Sequence, residues 1–271
     1  MERLEFMVDG RECRLTVVRR ADVGPDGPAG AVGTVGAAGP APDALLIEPI
    51  DRRDLDFLDR EVDYLREHAG RSFALATFIV EDWNSELSPW KADPVFGKEA
   101  FGDGAGKTLR FIEEALVPEV RRRLCGLGQA LTSEIRERRP GVGGPGETVS
   151  GEVILGGYSL AALFALWAGY ESSRFNGIAA ASPSVWFPGW LDYARARRPL
   201  SERIYLSLGD AEPRTRNRIM ATVGDCIREM DALMADCPHT LEWNPGNHFQ
   251  DADLRTAKAF LWCLEHHRAI R

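Results

Sequence analysis

Residues 151–169, GEVILGGYSLAALFALWAG, pass from an apolar run through two glycines to Ser159 and then into a stretch with helical spacing. Such a segment reads as a buried strand, a sharp turn and a helix, with the serine at the apex. The flanking sequence repeats the alternation. Apolar runs ending in turn residues read as buried parallel strands at Ala44–Ile47, Phe73–Val80, Glu152–Gly156, Gly177–Ala181, Arg203–Leu208 and Thr240–Trp243. Between them lie helical stripes: Leu55, Leu58, Val62 and Leu65; Leu109, Ile112, Leu116 and Val120; Ile219, Val223, Ile227, Met230 and Met234; and Leu254, Ala257, Phe260, Leu261 and Leu264. Strand–helix repetition predicts an α/β chain with a doubly wound, mostly parallel sheet and helices on both faces. At the N-terminus, Arg3–Val8 and Cys13–Val18 read as an antiparallel hairpin across Asp9-Gly10.

No linker separates two cores, so a single domain over residues 1–271 is expected. Residues 21–42 are almost wholly Gly, Ala, Pro, Val and Asp. They can bury too little to offset their ordering entropy and read as a flexible insertion between two strands. With 33 basic and 41 acidic residues, the net charge of −8 favours neither nucleic-acid phosphates nor anionic lipid as partner. The opening MERLEFMVDG is charged where a signal peptide is apolar, and no apolar run approaches the ~20 residues of a membrane span. A cytoplasmic protein is expected. The five cysteines, Cys13, Cys125, Cys226, Cys237 and Cys263, are scattered and form no CxxC pair, so neither a disulfide framework nor a metal site is expected. Cys226 falls on an apolar stripe and reads as a small buried hydrophobe.

A serine at a strand–turn–helix apex can be an exposed nucleophile if the residues two before and two after it are small. Here they are Gly157 and Ala161. The N–H of Leu160, at the helix start, could then face an oxyanion with help from the helix dipole. A plain N-cap serine after a glycine turn gives the same local pattern, so the partners decide. In serine hydrolases built on such a sheet they come from the carboxyl ends of later strands, acid first and histidine second. Past Arg203–Leu208 the sequence Gly209-Asp210-Ala211-Glu212-Pro213 offers two carboxylates. Glu212 lies far enough into the loop to reach a histidine and is preferred; Asp210, nearer the strand end, is the alternative acid or a turn former. Of the histidines, His68 precedes the serine, His266 and His267 lie near the terminus, and His239 opens the wrong edge of the sheet. His248 alone follows a strand and precedes a helix. Asp82-Trp83-Asn84, Trp90 and Ser182-Pro183-Ser184-Val185-Trp186 follow strands at the same edge, where Trp83, Asn84, Trp90 and Trp186 could wall a pocket.

Four segments carry a resemblance: LGGYSLAALFALW around Ser159, AASPSVWF after the next strand, SLGDAE at the acid and NPGNHF at the base. Together they resemble the α/β-hydrolase superfamily, in its esterase group of enterobactin-esterase-like and S-formylglutathione-hydrolase-like proteins. The resemblance covers most of the chain from about Gly151 onward. It implies the α/β-hydrolase fold, a small-molecule ester as substrate, no cofactor, Ser159 as nucleophile, His248 as base and Glu212 as acid. It also implies a second oxyanion donor from the loop after the third strand, Glu48–Asp51. Pro49 has no N–H, which leaves Ile50 or Asp51.

Two rival readings differ in class. Gly102-Asp-Gly-Ala-Gly-Lys107-Thr108 ends like a phosphate-binding loop, but Phe101 stands where that motif requires glycine and no apolar strand leads into it. A non-catalytic binding protein could use the same fold, and thioesterases and peptidases share the same apparatus. Neither the natural substrate nor the oligomeric state is legible in the sequence.

Overall fold

The computed structural model describes residues 1–19, 22–23, 41–95, 97–125 and 151–266. The insertion expected at 21–42 lies, apart from its ends, outside the described residues, as does His267.

Eight strands form one sheet: β1 (Glu2–Val8), β2 (Arg11–Val18), β3 (Ala44–Ile50), β4 (Phe73–Ile79), β5 (Glu152–Tyr158), β6 (Gly177–Ala181), β7 (Arg203–Gly209) and β8 (His239–Asn244). Their spatial order is β1-β2-β4-β3-β5-β6-β7-β8. From β4 to β8 every pairing is parallel, while β1–β2 and β2–β4 are antiparallel. The hairpin turns on Asp9 (φ 47°) and Gly10 (φ 80°), the paired left-handed conformations whose twist matches the flanking strands. Strands β3, β4, β6 and β7 are buried along their whole length, as strands covered on both faces must be.

Helices cover both faces. On one lie α1 (Leu58–His68) and the C-terminal helix Ala252–Glu265, whose apolar stripes pack on Leu46, Phe73, Ile154 and Tyr205. On the other lie Ala105–Phe111 and its continuation, together with Leu160–Glu171 and Val223–Leu233. Leu160–Glu171 has no polar face: Leu160 through Tyr170 are all buried, so this helix is enclosed on every side. Going from β3 the chain winds outward to β4 on one side, and from β5 outward through β6, β7 and β8 on the other. The carboxyl ends of β3 and β5 therefore flank the point where the winding reverses, the usual place for a ligand crevice in such sheets.

Three expectations need correction. Leu55 belongs to a short 3-10 turn, Arg52–Asp56, and not to α1. Ile219 is 47 % exposed and precedes its helix, because the Asn217 carboxamide oxygen accepts the N–H groups of Ile219 (3.0 Å) and Met220 (3.2 Å) and holds a local turn. Cys226 is only half-buried, with its thiol directed at Thr222 Oγ1 (3.5 Å). Among the described residues, no helix is long and apolar enough to cross a membrane.

Candidate active site

The turn after β5 puts Ser159 at φ 58°, ψ −116°, a conformation that L-residues adopt only when their surroundings impose it. Two backbone hydrogen bonds clamp it: Ser159 N–H donates to Ala181 O (3.1 Å), and Ser184 N–H donates to Ser159 O (3.1 Å). A Cβ on Gly157 would stand 2.7 Å from the Cβ of Ala161. The two small residues thus meet face to face, and alanine is tolerated at the second position because the first is glycine.

His248 follows β8 and lies across the edge from the serine. Its Nε2 is 2.9 Å from Ser159 Oγ, and its Nδ1 is 2.7 Å from Glu212 Oε2. With Nδ1–H directed to a carboxylate, Nε2 is left as an acceptor facing a hydroxyl. Ser184 Oγ also lies 3.3 Å from Ser159 Oγ. Glu212 is buried, and its Oε1 accepts from Gly209 N–H (2.7 Å), Ser182 Oγ–H (2.8 Å) and the Arg255 guanidinium (3.1 Å). Burial pushes this carboxyl toward its neutral form. The hydrogen bond and charge of His248, with donors from Gly209 and Ser182, outweigh burial and hold it below the usual glutamate range.

Solved structures with a similar fold include proteins named as siderophore and serine hydrolases. The siderophore hydrolase EstB from Aspergillus nidulans superimposes with a TM-score of 0.66 at 18% identity, covering 99% of this chain and 96% of that one. An IroE-like serine hydrolase from Shewanella oneidensis gives 0.63 at 14% identity, covering 94% of this chain and 76% of its own. The enterobactin esterase FES from Shigella flexneri gives 0.52 at 16% identity, covering 97% of this chain and 58% of its own. The fold is that of the α/β-hydrolases. No protein-family model matches the chain, and no curated relative matches it.

On this α/β-hydrolase fold the other expected site residues fall out unequally. Asp210 does not touch His248; its Oδ1 accepts from Gly246 N–H (2.9 Å) and ties the acid-bearing loop to the histidine-bearing one. The Asp51 N–H is not free to bind an oxyanion, since it donates to Asp54 Oδ2 (3.0 Å) in a capping box that starts the 3-10 turn. Ile50 is engaged as well: it stands opposite Ile79 in the parallel β3–β4 ladder with Val80 N–H donating to its carbonyl (3.0 Å), the pairing in which its own N–H faces the Phe78 carbonyl. Leu160 opens its helix, so its N–H has no partner one turn earlier. A cleft of about 280 Å³ opens beside His248, walled by Trp186, Arg214, Met220 and Phe249. Trp83, Asn84 and Trp90 do not line it. Trp90 Nε1–H donates to Pro188 O (2.8 Å) and its ring packs on Phe187 and Tyr193; Asn84 O accepts from Ser88 Oγ–H (2.6 Å). The phosphate-loop look-alike is closed as well: a Cβ at Gly102 would meet Ser85 Oγ at 2.5 Å, and Thr108 Oγ1–H donates to Glu86 O (2.8 Å). Among the described residues, no group of three or more His, Cys, Asp or Glu could hold a metal ion.

Sequence reading overlooked three participants: Ser182 and Arg255 on the carboxylate, and Tyr158, whose hydroxyl donates to His248 O (2.8 Å). Burial first, and then the Glu212 charge, push the Tyr158 hydroxyl up to about 12, which keeps it a donor at neutral pH. A signal for Arg255 did exist. It stands in the first turn of a helix, where the dipole disfavours a cation, so a compensating anion had to be near.

Proposed function

We propose that this chain is a serine hydrolase that cleaves a carboxylic ester through an acyl-enzyme on Ser159. The observation that carries the reading is the unbroken hydrogen-bonded line from Ser159 Oγ through His248 to Glu212, the latter two lining a cleft. His248 Nε2 takes the hydroxyl proton as Oγ attacks the ester carbonyl, and the Leu160 N–H stabilises the oxyanion. The imidazolium returns the proton to the departing alkoxide, leaving an acyl-serine and free alcohol. Water then attacks the acyl carbonyl with His248 again as base, releasing the acid and restoring Oγ–H. Glu212 holds the imidazole tautomer and stabilises the imidazolium without itself taking the proton.

A fluorophosphonate probe separates this reading from a non-catalytic binding protein on the same fold. Wild type is expected to gain one covalent adduct, read by intact mass, and Ser159→Ala none. A folded wild type that never labels would sink the proposal.

The cleft also bears on substrate. Trp186, Met220 and Phe249 supply apolar walls and Arg214 a cation, while Phe249 is 90 % exposed immediately beside the base. Arg216 and Arg218 continue the same exposed segment. An ester with a flat apolar body and a negative group fits these walls, and siderophores, with enterobactin among the substrates to include, are the first to try, since two of the similar structures are named a siderophore hydrolase and an enterobactin esterase. With matched p-nitrophenyl esters, one neutral and one ending in a carboxylate, Arg214→Ala is expected to lower kcat/KM for the anionic one about three- to tenfold more than for the neutral one. Equal losses on both would remove the charge argument.

A further inference from the structure

Arg255 is a cation with almost no access to water, being 2% exposed, and the hydrogen bonds its guanidinium makes among the described residues all lead to the candidate active site. Its Nη1 donates to Glu212 Oε1 (3.1 Å), Tyr158 Oη (3.1 Å) and Ser182 Oγ (3.3 Å), and its Nη2 donates to Pro245 O (2.9 Å). These acceptors come from the acid loop, the residue before the nucleophile, the end of β6 and the loop that carries His248. Two features show that the surroundings are shaped for this contact. Ser182 is held at φ 44°, a strained angle for serine, and its hydroxyl donates to the same Glu212 oxygen. Gly209 cannot carry a side chain, since a Cβ there would meet Gly246 O at 2.5 Å, Arg255 Nη1 at 2.9 Å and Glu212 Oε1 at 3.0 Å.

We propose that Arg255 is a positioning residue for the Ser159–His248–Glu212 line, acting on both the orientation and the charge of Glu212. Three donors occupy Oε1, so the carboxylate can present only Oε2 to the imidazole. The guanidinium shares the negative charge of Glu212 across a dry contact, where little water screens it. It adds to the His248, Gly209 and Ser182 contacts that hold Glu212 ionised, and it makes Glu212 draw the imidazolium less strongly than an isolated buried carboxylate would. Through Pro245 O and Tyr158, the same guanidinium pins the His248 loop from below. The inference rests on the serine-hydrolase reading. A purely structural role, with Arg255 only fastening its helix to the sheet edge, is the rival.

The test uses the full chain with a p-nitrophenyl ester and a fluorophosphonate. Arg255→Met removes the charge and keeps much of the stem. It is expected to lower kcat/KM about 10²-fold, mostly in kcat, and to move the midpoint of the acidic limb of its pH profile up by about one unit. Removing the cation leaves Glu212 easier to protonate and the imidazolium better stabilised, and both effects extend the inactive acidic range upward. Arg255→Lys keeps the charge but cannot fork between Nη1 and Nη2 partners, so it should restore the limb while recovering only part of kcat. A folded Arg255→Met with wild-type kcat/KM and pH profile overturns the proposal, as does a rate loss that leaves the limb in place. If the Met variant does not fold, Arg255→Lys decides: a loss of about tenfold or more at unchanged Tm supports the role, and wild-type kcat overturns it. Should wild type fail to label with the fluorophosphonate, the parent reading falls; if wild type labels and Arg255→Met labels equally fast, only this inference does.

Discussion

Glu212→Gln is expected to lower kcat/KM for an activated ester by about 10³–10⁴-fold, whereas Asp210→Asn costs less than about tenfold. The two carboxylates are neighbours in one loop, and their different contacts set the contrast. Glu212 Oε2 accepts the His248 Nδ1–H at 2.7 Å, and an amide can offer its NH2 there, which reverses the bond and forces the imidazole into the other tautomer. Nε2 would then carry the proton and could no longer accept one from Ser159. Asp210 instead accepts from the Gly246 backbone, a bond that Asn can keep through its carboxamide oxygen. Steady-state kinetics at neutral pH, with circular dichroism to verify folding, provide the comparison. If Asp210→Asn were the crippled variant and Glu212→Gln the active one, the proposed acid would be wrong.

The second large effect concerns stability. Glu48 on β3 and Glu61 on α1 are both buried and share a hydrogen bond, and Asp54 and Asp253 add negative charge nearby. Glu48 Oε2 and Glu61 Oε1 have no hydrogen-bond partner among the described residues, while Asp253 is ion-paired with Arg60 (3.3 Å). Burial pushes Glu48 up to about 8, helped by the Asp54 charge, and raises Glu61 well above the carboxylate range through burial and the Glu48 charge. The sign follows. A carboxyl whose folded value exceeds its unfolded one favours folding fully below the unfolded value, near 4.5, and loses that contribution as pH rises toward 8. Wild type is therefore expected to melt progressively lower between about pH 5 and pH 8. Replacing both residues by Gln keeps a hydrogen-bonding pair without the titration. At pH 8 that variant should melt several degrees above wild type, on the scale of about 2–4 °C per kcal/mol for a chain of this size, and its Tm should vary less with pH. Melts from pH 5 to 9 provide the check; parallel Tm–pH curves for the two proteins would show that the pair is not the source.

Some of this was legible before any coordinates. The alternation of apolar runs and helical stripes reports the layers directly, because burial on both faces of a parallel sheet leaves continuous Val, Ile, Leu and Ala in the strands. The chain order of Ser159, Glu212 and His248 could be read because each follows a strand and all such ends share one edge. Ala161 could be read as permissive from its size alone.

What tertiary structure decided were the outcomes of competition for single atoms. Asp210 and Glu212 are equivalent carboxylates in a sequence; the Gly246 N–H claims one and the His248 imidazole the other. Ile50 and Asp51 are equivalent N–H groups in the sequence; the β3–β4 ladder takes the first and the Asp54 side chain the second. Trp90 and Trp186 follow strands alike, but only Trp186 reaches the cleft, because Pro188 O and the rings of Phe187 and Tyr193 hold Trp90 elsewhere. Arg255 and Ser182 act on a carboxylate 43 and 30 residues away in the chain, a relation that no local periodicity encodes. Periodic burial is a one-dimensional signal and survives in the sequence. Which donor meets which acceptor depends on ångström-scale placement of segments far apart in the chain, and only the folded packing sets that.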